Sequence, residues 1–417
     1  MVGVTKARTN GVRAAAAEAP APRPNLSEVL QLIWRERQIS RAEIARRKEL
    51  SRSTVSIIVE DLLELGVVQE VGAGESRGGR RPIVLEFDDK AAVILGVDLG
   101  ATHVAVTLTD LRGEVLAWEH QKHPVREDPP GSLELVNTLA ERCLEFWGGN
   151  RRLLLGAGMA VPSPVDPARP DFLNDVVVPY WKGVAVGQAL RKRFRIPVLL
   201  DNDANLGALA ERWWGAARDV DHFAYIKLAT GVGAGFFVDG NVYRGASGIA
   251  GEVGHISIDP NGPPCGCGLR GCLVTAVGAQ ALLRRARALL DEYPGSALAG
   301  RTFGITILED AALAGDPLAL QVVREAAENL GIAVAGLLNL LNPTLVVVGG
   351  GLARLGDVLL EPLREAVRTR TLATSVAVSR IVTSSLGARA IAVGAATLLL
   401  QRALADPRHF LASSARR

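Results

Sequence analysis

A winged helix-turn-helix unit followed by a two-part α/β body is the fold class this sequence predicts, on three observations. Between Asn25 and Phe87, three short amphipathic segments are followed by a hairpin pattern. From about Ala91 onward, apolar strands, glycine turns and amphipathic helices alternate, the signature of an α/β domain. Within that region one design recurs: a strand runs into a glycine-bearing hairpin at Asp98–Thr102 and again at Thr230–Gly235, as a duplicated fold would require. With 417 residues, 48% hydrophobic and 22% charged, the chain is long enough for two or three packed units.

Residues 1–24 are rich in Ala and Pro and lack any periodicity able to offset the entropy of ordering, so they read as a disordered tail. The winged unit is expected over 25–88. Asn25 or Ser27 can cap a first helix with a Val29, Leu30, Ile33 stripe. A second helix opens at Ser40-Arg-Ala-Glu43, a capping box in which each side chain satisfies the other's orphan N–H. Ser51 can cap a third, whose Val55, Ile58, Leu62 and Leu65 face the core and which Gly66 ends. Its opposite face presents Ser51, Arg52, Ser53, Thr54 and Ser56, short hydroxyls and one Arg that fit a major groove. Strands at Val67–Val71 and Ile83–Phe87 flank a wing in which Arg77, Arg80 and Arg81 stand among glycines, suited to a narrow minor groove. Residues 1–82 hold 14 Lys and Arg against 10 Asp and Glu, a modest excess, so placement carries the argument for double-stranded DNA rather than net charge. A helix-turn-helix can also make protein contacts, and a wing can be a solvated loop.

In the body, Ala92–Val97 leads into Asp98, Gly100 and Thr102 before a return strand at His103–Asp110; Phe223–Ala229 leads likewise into Thr230, Gly231 and Gly233. Glycines expose backbone N–H groups to phosphate, and Asp98 can hold Mg²⁺ through water. Hairpin turns need glycine for backbone reasons too, so each motif alone is open to both readings. Ile196–Asn205 is an apolar strand ending in a polar cluster, with a helix expected from about Leu206 to Trp214. Asp203 at the strand end can take a proton from a sugar hydroxyl attacking a γ-phosphate, and Asn202 can both donate to and accept from hydroxyls. Helix capping by Asx residues accounts for part of this cluster.

His255, Cys265, Cys267 and Cys272 offer one imidazole and three thiols with C-x-C-x₄-C spacing. Three thiolates and a histidine form a closed tetrahedral shell for structural zinc, and a glycine-rich loop has little else to fold around. The second ring nitrogen of His255 can then face a sugar hydroxyl beside Glu252. Cys143 stands apart, and this cysteine usage suits a reduced compartment, the cytoplasm. No membrane segment is expected: the longest apolar run is interrupted by Asn339 and Asn342.

Together, DLGAT at 98–102, DNDAN at 201–205, TGVGAG at 230–235, GEVGH at 251–255, CGCGLRGC at 265–272 and the glycines at 349–351 resemble the ROK family of repressors and sugar kinases. The resemblance implies an actin-like, two-lobed ATPase (ribonuclease H-like) fold, with a small lobe over 89–205 and 396–417 and a large lobe over 206–395 holding the metal site and oligomer interface. It implies zinc at His255, Cys265, Cys267 and Cys272, sugar contacts from Asn202, Asp203, Glu252 and His255, Asp203 as base if phosphorylation occurs, and adenosine contacts near Gly350 and Gly351. The winged unit looks like the repressor branch. Two departures stand out: Val274 where the family has a sugar-binding Glu, and Ser163 where it has Gly, which places a side chain near the ligand. The expected function is a cytoplasmic, sugar-responsive repressor acting as a homodimer or homotetramer on operator DNA. The alternatives are a sugar kinase using ATP and Mg²⁺ that retains a DNA-binding unit, and a constitutive DNA-binding scaffold.

Overall fold

The computed structural model describes residues 24–73, 83–174 and 177–410. The tail expected over 1–24 (all but its last residue) and the wing arginines Arg77, Arg80 and Arg81 lie outside the described residues.

The winged unit consists of α1 (Leu26–Glu36), β1 (Gln38–Ser40), α2 (Arg41–Arg47), α3 (Arg52–Glu64), β2 (Val68–Ala73) and β3 (Ile83–Phe87), its strands forming an antiparallel sheet in the order β1-β3-β2. β1 was not anticipated, because three residues are too few to display a two-residue period. The start of α1 also differs from expectation: Asn25 occupies the cap position with φ 67° but makes no side-chain cap bond, and Ser27 lies inside the helix. At α2 half of the capping box forms. Ser40 Oγ accepts from Glu43 N at 3.2 Å, while the Glu43 carboxylate turns to Arg47 Nε at 2.7 Å and to Arg46. Ser51 caps α3, accepting from Thr54 N at 3.1 Å, and Val55, Ile58 and Leu62 are buried as their spacing requires.

The body opens with β4 (Val93–Leu99), β5 (His103–Thr109), β6 (Val115–Lys122), α4 (Pro129–Trp147), β7 (Leu154–Val161), α5 (Gln188–Phe194), β8 (Val198–Asn202) and α6 (Asp203–Trp214). It continues with β9 (Phe223–Leu228), β10 (Val232–Val238), β11 (Asn241–Tyr243), α7 (Val274–Val277), α8 (Ala279–Ala288), α9 (Ile305–Leu313), α10 (Pro317–Leu341), β12 (Leu345–Gly349), α11 (Asp357–Arg368), α12 (Ala373–Val378), β13 (Arg380–Thr383) and α13 (Ala390–Ala405). The first sheet has the order β6-β5-β4-β7-β8 and the second β11-β10-β9-β12-β13. In each, a three-stranded antiparallel meander is extended by two parallel strands, so the two halves are topological copies. β4, β7 and β12 are buried along their whole length, which is why they read as continuous apolar runs.

Two helices lie between the sheets: α13 against β4 and β7, and α6 against β9 and β10. They touch each other so closely that a Cβ on Gly394 would stand 1.9 Å from Leu206 O. α13 begins at Ala390, so a lobe boundary drawn between 395 and 396 would cut it. The expectation that no apolar stretch reaches membrane-spanning length needs one correction: Gly387–Ala405 has 19 residues at mean hydropathy 1.3, but 67% of that window is buried inside the body.

The winged unit and the body share a core. Leu30, Ile33, Leu62 and Leu85 belong to the same apolar cluster as Leu399, Leu404 and Phe410. Trp34 of α1 meets Trp213 and Trp214 at the end of α6, with ring centroids 5.1 and 6.1 Å apart. Trp34 Nε1 donates to Leu111 O at 3.1 Å, and Arg112 lies 4.6 Å over the same ring.

Candidate functional site

β8 carries the polar cluster to the edge of the first sheet, and α6 starts there. Asn202 is the helix cap, its Oδ1 accepting from Ala204 N at 2.9 Å and Asn205 N at 3.4 Å. Asp203 therefore opens α6 instead of ending the strand, and α6 starts three residues earlier than expected. Asp201 is held by Arg244 Nε at 2.9 Å and by Asn205 Nδ2 at 3.0 Å. Two of the four polar side chains thus brace the turn, and a third caps it. Asp203 faces a cleft and pairs with Lys227 of β9.

That cleft, of 280 Å³, brings together Asn202, Asp203, Lys227, Thr230, Gly231, Gly233, Glu252 and His255, with Arg126 and Val274 also on its wall. Glu252 and His255 reach it because Gly251, at φ 100°, lets their loop lie on β10. A Cβ there would stand 1.9 Å from Ala234 O, and Ala234 N donates to Gly251 O at 2.7 Å. Burial, with Asp203 adding to it, pushes the Glu252 carboxyl up to about 7, so near neutrality it can donate as well as accept a hydrogen bond.

His255 divides its nitrogens. Nδ1 lies 3.7 Å from Cys265 Sγ, and Nε2 lies 3.9 Å from a Glu252 oxygen on the cleft side. Cys267 and Cys272 sulfurs are 3.6 Å apart, and one ligand atom from each of the four residues falls within 4.8 Å of all the others. Zinc bonds of about 2.3 Å to sulfur and about 2.0–2.1 Å to nitrogen give tetrahedron edges of roughly 3.5–3.8 Å. The four residues could hold a metal ion, and the donor set suits a closed structural site.

The first glycine hairpin is arranged differently. His103 Nε2 lies 3.1 Å from Asp98 Oδ2, and the imidazole covers Gly100, where a Cβ would meet the ring at 2.3 Å. Burial disfavours the imidazolium, but the Asp98 hydrogen bond and charge outweigh it and raise the His103 pKa. Asp98, Gly100 and Thr102 do not line the cleft, nor do Gly350 and Gly351. Ser163 does lie on the cleft wall, only 1% exposed, its hydroxyl accepting from Asn174 N at 3.0 Å and donating to Pro164 O at 3.1 Å.

On α3, Ser51, Arg52 and Ser53 are exposed and Thr54 and Ser56 half-buried. The Ser51 hydroxyl lies 2.9 Å from that of Ser53 and 2.8 Å from that of Thr54. Ile57 of the same helix is an apolar side chain left 42% exposed, which sequence reasoning missed. Lys227, Arg126 and His103 were missed as well. Lys227 alone left a signal, a single charge inside the apolar strand FAYIKL.

The ROK family model matches residues 94–402. The chain is 34% identical to a putative xylose repressor of Caldicellulosiruptor sp. (strain Rt8B.4) over 384 residues, 91% of this chain and 96% of that one. It is 31% identical over 84% of its length to the DNA-binding transcriptional dual regulator NagC of Escherichia coli (strain K12), covering 85% of that protein. Among solved structures, a ROK family transcriptional regulator described as a homolog of the E. coli MLC protein matches 93% of this chain and 98% of its own, with TM-score 0.79 and 28% identity. A ROK family glucokinase from Streptomyces griseus in complex with glucose and AMPPNP matches 74% of this chain and 99% of its own, with TM-score 0.67 and 30% identity. The fold is accordingly the actin-like, two-lobed ATPase fold, preceded here by the winged unit.

Proposed function

The chain belongs to the ROK family, and from that premise we propose that it is a cytoplasmic, sugar-responsive transcriptional repressor of carbohydrate-metabolism genes. The relatives that match nearly the whole chain are named as repressors or regulators, whereas the glucokinase matches only 74% of it. The observation that carries the reading is α6. It begins at Asp203 in the cleft and ends about 18 Å away at Trp213 and Trp214, against Trp34 of the winged unit.

In this reading a saccharide is held by Asn202, Asp203, Glu252 and the Nε2 of His255. Zinc on His255 Nδ1, Cys265, Cys267 and Cys272 fixes the ring's orientation. Occupancy favours one position of α6, and the tryptophan contact passes that preference to α3, whose Ser51, Arg52, Ser53, Thr54 and Ser56 read the major groove while Arg77, Arg80 and Arg81 enter the minor groove. The protein works as a homo-oligomer, presenting paired α3 helices to half-sites one helical turn apart. Leu340, Leu372 and Val378, exposed by 82, 68 and 54% around the end of α10, offer an apolar contact. Kinase chemistry is disfavoured because the groups it needs are engaged: Asp98 and Gly100 by His103, and Asp203 by Lys227.

The test is binding of the full chain to promoter DNA beside its own gene, with and without a panel of saccharides. A 5- to 150-fold change in affinity, roughly 1–3 kcal/mol of coupling, is expected. Trp213→Leu is expected to keep both binding steps and lose the coupling. No binding to any neighbouring promoter, or no effect of any saccharide, sinks the reading. ADP release abolished by Asp203→Asn would instead establish the kinase alternative.

A further inference from the structure

The cleft has a neighbour. Across the wall at Pro164, which lines both, lies a second cavity of 470 Å³ whose lining includes Asp166, Phe172, Asn174, Lys182, Ser247 and Ile249. Two large apolar side chains face solvent there, Phe172 at 40% and Ile249 at 51% exposure, and the polar groups bring a carboxylate, an amide, an ammonium and a hydroxyl to the same space. This is the composition of a saccharide subsite. One face of a pyranose is a sheet of C–H bonds that lies on an aromatic ring, while its edge carries hydroxyls that need donors and acceptors.

The wall between the cavities is one continuous hydrogen-bonded structure. Asn202 Nδ2, on the cleft side, donates to Ser163 O at 3.3 Å, and Asn174 N, on the far side, donates to the Ser163 hydroxyl at 3.0 Å. The serine hydroxyl thereby fixes the backbone of Asn174 at the second cavity relative to Asn202 in the first. A single sugar ring in the cleft would leave the adjoining 470 Å³ and its exposed Phe172 unused.

We propose that the effector is a saccharide of at least two units, the first ring in the cleft with Asp203 and Glu252, the next against Phe172 in the adjoining cavity. The proposal rests on the sugar-binding reading above and adds the class of sugar.

Calorimetry on the full chain with xylose, xylobiose and xylotriose, and in parallel with glucose and cellobiose, tests it. In at least one series the disaccharide is expected to bind tenfold or more tightly than its monosaccharide. Phe172→Ala should return the disaccharide to monosaccharide affinity while leaving monosaccharide binding within twofold; Glu252→Gln should weaken both. Thermal melting checks that each variant is folded, and Ile249→Ser serves as a second probe of the same cavity if Phe172→Ala melts early. Equal affinity at every length, or a disaccharide advantage that neither variant reduces, overturns the proposal while leaving the cleft reading intact. Failure of every saccharide to bind, with promoter DNA still bound, overturns the cleft reading itself.

Discussion

The two sheets share one strand order, yet their hairpins differ. In the first sheet, the β4–β5 turn is closed: His103 folds back over Gly100 and bonds Asp98. In the second, the β9–β10 turn is open, and Thr230, Gly231 and Gly233 line the cleft. A duplicated backbone therefore supplies two glycine hairpins, and side chains decide which is open. The open half is also the half that carries Glu252, the His/Cys cluster and Lys227. The residues to which saccharide binding is assigned in the proposed function thus sit in the second lobe and at the Asn202–Asp203 edge of the first.

Zinc at the His/Cys cluster belongs to the proposed function, and removing it should break this contrast most severely. Stripping the ion with a chelator, or the Cys267→Ser/Cys272→Ser double variant, should release the 255–272 loop, free His255 and lower saccharide affinity by about 10- to 100-fold. Metal analysis and calorimetry measured together check this; unchanged sugar binding in metal-free protein would refute the role assigned to the cluster.

Asp203→Asn comes next. It leaves Lys227, only 13% exposed, without its carboxylate, and removal of one partner of a buried pair costs about 3–5 kcal/mol. Urea unfolding should show the loss, and Asp203→Asn/Lys227→Met should recover much of it. A double variant as unstable as the single one would mean that the pair is not what sets the cost.

The smallest expected effect is at the closed hairpin. His103→Ala removes a charge-assisted hydrogen bond of about 1.5–3 kcal/mol and uncovers Gly100. The His103 pKa is raised in the folded state, so its stabilising contribution is complete below the unfolded value of about 6.5 and is lost as pH rises through the folded value. Stability measured against pH should show that slope in the wild type and lack it in the variant. AMPPNP with Mg²⁺, scored by thermal shift, should stabilise the variant more than the wild type; equal shifts would mean that the imidazole does not close the seat.

Much of this arrangement was legible beforehand for local reasons. The burial of Val55, Ile58 and Leu62 follows from their spacing, the caps at Ser40 and Ser51 from short side chains ahead of apolar runs, and the gathering of His255, Cys265, Cys267 and Cys272, which could hold a metal, from four donors within 18 residues. Other readings are incomplete where two local roles compete for one side chain. Asn202, able to bond a hydroxyl, also caps a helix, as Asx residues can; Glu43, read as bonding a backbone N–H, pairs with arginines. Ser163, read as a side chain near the ligand, does line the cleft, with its hydroxyl tied into the wall.

By itself, the sequence determined most of the segments that become helices and strands, the caps at Ser40 and Ser51, that the body is duplicated and which residues can bind a metal, because periodicity, capping and donor spacing act over a few neighbours. Only the tertiary structure decided that Lys227 meets Asp203, that His103 shuts one hairpin, that Trp34 rests on Trp213 and that a second cavity opens beyond Pro164. Those outcomes depend on how two sheets and two helices settle against one another, and the energies involved, ion pairing and shape complementarity, exist only once distant parts of the chain are within a few ångströms.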